Sequence, residues 1–187
     1  MTRFLLLYAT REGQTAKVAG RIAEHLRAGG TELSVVDAAN TLTADALELA
    51  RFDRLIFGAS MHAGGLEKEL VEFVNGRADE IRCCKRSLFV VLLSAAAEDP
   101  ALREEWLGDA RGKIEAQLRV PFAHVEMIAG ALRYSKYPLP LRWMMRRIAR
   151  KAGEDTDTSR DYEYTDWEQV RRYAEALLED GGGRLER

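Results

Sequence analysis

The segment Ser87 to Leu93 reads SLFVVLL and is apolar on both faces of any strand it forms. Side chains alternate between the two faces of a strand, so such a run has to be covered on both sides. The architecture that does this is a mostly parallel sheet with helices on either face, joined by right-handed crossovers. The rest of the chain follows the same alternation. Phe4 to Ala9 is another continuous apolar run, and Ala16, Val18, Ala19, Ile22, Ala23 and Leu26 then recur at helical spacing until Gly29-Gly30. Glu32 to Val36, Leu55 to Ala59 and Val125 to Ala131 read as further strands. Leu66, Leu70, Phe73 and Val74 share one face of a predicted helix. Another helix is predicted between Pro100 and Leu118, and a last one opens at Thr165, with Asp166, Trp167 and Glu168 in its first turn. The expected fold class is α/β, a doubly wound single domain over residues 1–187. It is interrupted at about 132–164 by a segment too long for an ordinary connection. Residues 181–187 read as a frayed tail.

Composition narrows the classes of function. A chain of 187 residues buries enough surface to need no staples. The formal net charge of −2 gives no reason to expect nucleic acid as a partner. The two cysteines, Cys83 and Cys84, are adjacent and make no disulfide framework. They precede a strand, at the end of the sheet where ligands do not bind, so no redox role is expected of them. Phe4 to Ala9 is too short for a secretory signal, and no stretch approaches the roughly 20 apolar residues of a membrane span. The expected location is a reduced cytoplasm, with a membrane surface still open to the chain.

Thr10-Arg11-Glu12-Gly13-Gln14-Thr15 lies between the first strand and the first helix. In a doubly wound sheet ligands bind beyond the carboxyl ends of the strands. A helix N-terminus there offers unpaired N–H groups and a positive dipole end, which suit a phosphate. Gly13 lets the backbone approach closely, and Thr10 and Thr15 add hydroxyl donors. Taken alone, the loop reads equally well as a capped helix with an incidental glycine.

The loop resembles the phosphate loop of flavodoxins, a hydroxyl-x-hydroxyl-Gly-x-Thr pattern directly after the first strand. Glu12 departs from it, since flavodoxins usually carry Thr or Ser there. An acid beside a phosphate must turn its carboxylate away and contribute only its N–H, or else cap the loop. Residues 6–15 (LLYATREGQT), 56–62 (IFGASMH), 128–134 (IAGALRY), 153–158 (GEDTDT) and 164–170 (YTDWEQV) together resemble one flavodoxin-like branch. That branch is the bacterial quinone-dependent protoporphyrinogen IX dehydrogenases, which carry a long insertion late in the chain. The resemblance weakens between about Ala95 and Phe122. It implies a three-layer α/β/α fold whose five-stranded parallel sheet has the order 2-1-3-4-5, with a helical insertion before the last helix. It also implies FMN as cofactor, a porphyrinogen substrate and a quinone acceptor, in haem biosynthesis.

Two more loops would flank the flavin in such a fold. Ser60-Met61-His62-Ala63-Gly64 follows the third strand and would border the ring system. His62 would stack on the ring, neutralise an anionic flavin, or be an ordinary surface histidine. Ser94-Ala95-Ala96-Ala97 follows the fourth strand, and its small side chains would let the ring lie against backbone or merely favour a helix. Ser94, Ala95 and Ala96 join the cofactor-binding candidates.

From Met127 to Gly153 there is no acid, whereas Arg160 is the only base among seven acids from Glu154 to Glu168. On a helical wheel Leu141, Met144, Met145, Ile148 and Ala152 share one face, and Arg142, Arg146 and Arg150 repeat at intervals of four. Arg147 and Lys151 lie alongside, and Trp143 falls among the bases. A tryptophan among arginines suits a membrane interface or a flat ligand, and equally a helix packed on its own domain. The arginines can pair with propionates or face anionic lipid. Arg133, Tyr134 and Tyr137 lie nearest the fifth strand's carboxyl end. Arg133 and His62 are the catalytic candidates, and Tyr134 and Tyr137 contact substrate or are simply core or surface residues. A homo-oligomer is left open, and no metal site is expected. The rival functions are a plain flavodoxin electron carrier, a nicotinamide-dependent quinone reductase, and a tetrapyrrole-binding or membrane-tethered module that has lost its flavin.

Overall fold

The computed structural model describes residues 2–62, 65–136, 143, 150 and 157–180. In chain order its principal elements are β1 (Arg3–Ala9), α1 (Gln14–Ala28), β2 (Glu32–Asp37), α2 (Thr41–Asp45), β3 (Arg54–His62), β4 (Gly65–Leu66), α3 (Lys68–Gly76) and α4 (Ala78–Arg82). They continue with β5 (Lys85–Leu92), α5 (Pro100–Gln117), β6 (Val125–Ala129), β7 (Ala131–Leu132), β8 (Tyr162–Glu163) and α6 (Trp167–Glu179). Five parallel strands run in the order β2-β1-β3-β5-β6. With the two-residue β4 left uncounted, this is the expected order 2-1-3-4-5.

The period of two divides each central strand between two cores. Leu5, Leu7, Leu55, Phe57, Leu88 and Val90 pack on one side with Leu70, Phe73 and Val74 of α3 and Ile114 of α5. Phe4, Leu6, Ile56, Phe89 and Val91 pack on the other with Val18, Ile22 and Leu26 of α1 and Val170, Tyr173 and Leu177 of α6. Both faces are therefore dry, as the SLFVVLL run requires. Asp53 joins the frame at the start of β3, where its carboxylate accepts a hydrogen bond from the Arg3 N–H at 2.8 Å.

Three boundaries differ from the sequence expectation. The third strand does not end at Ala59. It continues to His62 and turns back antiparallel through β4, pairing Met61 with Leu66 and His62 with Gly65. Leu66 thus belongs to a strand, and the helix starts at Lys68. The fifth strand breaks at Gly130. Beyond it, Ala131 and Leu132 leave β5 and pair antiparallel with Glu163 and Tyr162. Finally, α6 is capped by Asp166, whose carboxylate accepts from the N–H groups of Glu168 and Gln169. Thr165 is free for other bonds.

Candidate functional site

The carboxyl ends of β1, β3, β5 and β6 open into one small cavity of about 60 Å³. Thr10, Glu12, Gln14 and Thr15 line it from the phosphate loop, and Ser60, Met61 and His62 from β3. Val91, Leu92 and Leu93 line it from the end of β5, and Gly130 and Ala131 from the break after β6. That volume is far below the roughly 300–1,000 Å³ of a whole cofactor pocket, so it encloses room for only part of a cofactor.

The phosphate loop is built to leave donors unused. Gly13 precedes α1 with φ of 95°, a left-handed conformation that costs a side chain about 1–2 kcal/mol. The Thr10 hydroxyl accepts from the Gly13 N–H at 3.0 Å and closes the loop on itself. No side chain caps α1, and its first turn holds no acid. The N–H groups that begin every helix therefore keep their capacity to bind an anion. The Thr15 hydroxyl is fully buried and has no hydrogen-bond partner among the described residues. A buried hydroxyl left unpaired costs about 1–3 kcal/mol. At the mouth of a helix dipole, an oxyanion is the group that relieves it. This arrangement fits a phosphate, and with it a flavin mononucleotide.

Arg11 turns across the cleft to Glu67, which the sequence reading passed over. Glu67 is only 6% exposed. Its carboxylate accepts from the Arg11 guanidinium at 3.3 Å and from the Ser60 hydroxyl at 3.2 Å. It also lies 3.0 Å from His62 Nε2, without the alignment of a hydrogen bond. Burial lowers the His62 pKa and Arg11 lowers it further, against the upward pull of Glu67 and Glu12. The imidazole is accordingly neutral near pH 7.

Behind the loop, the Gln14 side chain is committed to the protein. Its amide donates to the Thr165 hydroxyl at 2.8 Å and accepts from Arg133 at 2.9 Å. The Thr165 hydroxyl in turn donates a hydrogen bond to the Ala129 carbonyl at 2.7 Å. Only the Gln14 backbone is left for a ligand. Arg133 also pairs with Asp161 at 3.7 Å and Glu163 at 3.5 Å, while Lys17 meets Glu163 at 2.9 Å. These contacts root the insertion at α1.

Two of the substrate-side candidates make contacts within the protein. Arg133, a catalytic candidate by sequence, has its guanidinium held by Gln14, Asp161 and Glu163. Tyr134 is fully buried, in a small cluster with Leu132, Leu93, Tyr162 and Tyr164, so its ring offers no surface to a macrocycle or a lipid. Ser94, Ala95 and Ala96 form a half-buried single turn over Leu93–Ala96, and the cavity stops at Leu93. Ala63, Gly64, Tyr137, Arg142, Arg146 and Arg147 lie outside the described residues. Trp143 and Arg150 have helical backbone, and both are exposed, Trp143 at 65%. Cys83 and Cys84 are outside any disulfide and lie at the amino end of β5, away from the cavity.

Comparison with known proteins places this geometry. A flavodoxin domain model matches residues 5–159. The chain is 31% identical to the protoporphyrinogen IX dehydrogenase (quinone) of Escherichia coli K12 over 173 residues, covering 92% of this chain and 93% of that protein. It is 26% identical to the protein of the same name from Leishmania major, covering 91% of this chain and 72% of that one. Flavodoxin 2 of Bacillus cereus superposes with a TM-score of 0.55 at 19% identity, over 96% of this chain and 99% of its own. The flavodoxin of Streptococcus pneumonia TIGR4 gives 0.56 at 13%, with the same coverage. At those identities the two flavodoxins share the fold alone.

Proposed function

Because the chain belongs to the flavodoxin domain family, alongside the quinone-linked protoporphyrinogen IX dehydrogenases, we propose that it is an FMN-dependent enzyme oxidising protoporphyrinogen IX to protoporphyrin IX with a quinone as acceptor. The observation that supports cofactor binding most directly is the uncapped start of α1 beside the orphaned Thr15 hydroxyl. The N–H groups from Gly13 onward, with Thr10 and Thr15, would hold the phosphate. Ser60, Met61 and His62 would flank the ring system, with Ser94 to Ala96 on the other side. When bound, FMN would supply the two-electron redox chemistry linking substrate and quinone.

The chain's own part is to bind, orient and manage protons. Each two-electron oxidation of the macrocycle releases a proton along with the hydride. His62, neutral and at the cleft edge, is the side chain available to take it. The basic segment carrying Arg142, Trp143, Arg146, Arg147 and Arg150, with Tyr137 before it, faces the propionates, an anionic membrane surface, or both. Among the described residues no helix is long and apolar enough to cross a membrane. A quinone acceptor in the bilayer would be met by peripheral attachment at the inner face of the cell membrane through the basic segment.

The test is anaerobic. FMN-loaded protein is mixed with protoporphyrinogen, with and without a soluble quinone, and porphyrin fluorescence is followed. Quinone-dependent acceleration is expected. Equal rates with and without quinone would sink the assignment.

A further inference from the structure

Glu67 sits where a helix cap is expected, directly before α3, yet it accepts no hydrogen bond from the first turn of that helix. Its carboxylate turns the other way, into the protein. A buried carboxylate is costly unless donors surround it, so the direction it takes identifies what it holds. One oxygen takes the Ser60 hydroxyl at 3.2 Å and faces His62 Nε2 at 3.0 Å, both on β3. The other takes the Arg11 guanidinium, on the phosphate loop, at 3.3 Å. The backbone agrees, since the Glu67 N–H donates to the Ser60 carbonyl at 3.2 Å.

The strand that delivers Glu67 is itself pinned. Gly65 has φ of 112°, and a Cβ there would come within 2.2 Å of the Gln117 side chain. The Gln117 amide oxygen accepts from the Leu66 N–H at 2.9 Å, tying the hairpin to the end of α5. Glu67 thus follows directly on a strand that is tied to the end of α5.

We propose that Glu67 is a positioning residue of the flavin site, a buried carboxylate that ties Arg11 of the phosphate loop to Ser60 and His62 of β3 and so holds the phosphate end and the ring-side edge in one register. This rests on the reading of the cleft as an FMN site. Two groups that bind opposite ends of one ligand gain from being fixed relative to each other before it arrives. The same carboxylate governs His62. The charged groups acting on that ring are Arg11 and Glu12 from the loop and Glu67 from the head of α3. Arg11 pulls the ring's pKa down and the two acids pull it up, so loss of Glu67 leaves Arg11 opposed by Glu12 alone.

The experiment compares full-length wild type with Glu67→Gln and Glu67→Asp. His62 is titrated by NMR in FMN-free protein, FMN affinity is measured by quenching of flavin fluorescence, and the FMN-free proteins are melted. Glu67→Gln should move the His62 midpoint down and weaken FMN about tenfold, the scale of losing a charged hydrogen bond. Glu67→Asp keeps the charge and should restore the His62 midpoint toward wild type. A folded Glu67→Gln protein with an unchanged His62 titration and unchanged FMN affinity would overturn the proposal. So would failure of both variants to fold, which would make Glu67 a residue of the fold alone. If wild type takes up no FMN while His62 still responds to Glu67→Gln, the tie between them stands and the flavin assignment is what fails.

Discussion

Thr15 carries the site's trade-off in a single atom. Its hydroxyl is fully buried without a partner among the described residues, which costs the protein stability, and it lies in the first turn of an uncapped helix, where a phosphate would complete it. Valine has nearly the same shape and no hydroxyl. Thr15→Val should therefore leave the melting temperature of the FMN-free protein unchanged or slightly raised, while FMN affinity falls about tenfold. Differential scanning calorimetry and a flavin titration on the same preparation check both halves. A fall in both would mean that the hydroxyl has a partner within the protein. Glu12 belongs to the same scale. It lines the cavity and pulls the pKa of His62 upward.

At the scale of elements, the site depends on one strand that runs past its expected end and one that stops short of it. β3 runs on to His62 because β4 pairs with it, and that pairing brings Glu67 under the cleft. β6 breaks at Gly130, and β7 and β8 form a separate two-stranded sheet at the root of the insertion. The join between that root and α1 is the chain from Arg133 through Gln14 and Thr165 to the Ala129 carbonyl. Thr165→Val removes its middle. The Gln14 amide and the Ala129 carbonyl then lose a buried partner, at a cost of about 1–3 kcal/mol. For a chain of this length that is a fall of roughly 2–12 °C in melting temperature. Thermal melts of Thr165→Val and Thr165→Ser check this. Serine keeps the hydroxyl and should recover most of the loss, whereas equal losses would show that the methyl group matters more than the bonds.

For the whole molecule, the charge pattern and the fold divide the labour. Two dry cores hold the sheet, and among the described residues none of their members lies in 133–164. The bases from Arg142 to Lys151, with no acid among them, are the proposed contact with an anionic partner. Reversing Arg146, Arg147 and Arg150 to Glu should abolish binding to vesicles containing anionic lipid and leave the melting temperature within a few degrees of wild type. Co-sedimentation with anionic and with neutral vesicles measures this. Equal binding of wild type and variant to anionic vesicles would show that the basic face is merely solvated.

Local rules were enough to read the strands, the helices and the two covered faces, because each rests on neighbours along the chain, whereas the strand order and the phosphate role of the first loop came from the resemblance to flavodoxins. SLFVVLL declares two covered faces by its own alternation, and Thr10 to Thr15 lies between a strand and a helix whose patterns are unmistakable. Asp166 and Thr165 show where such reading ends. Both residue types cap helices, and the choice fell to Asp166 because Thr165 is bonded to Gln14, 151 residues away in sequence. Glu67 and Tyr134 are similar cases. An isolated acid before a helix and a tyrosine in a basic stretch carry no signal of burial. Arg11 is 56 residues from Glu67, and only the folded sheet brings them together. The sequence by itself therefore determined the kind of fold and the place where an anion can bind. Which side chains face that place, and which are consumed in holding it, was decided by tertiary contacts, because burial and electrostatic pairing depend on neighbours that only the folded chain supplies.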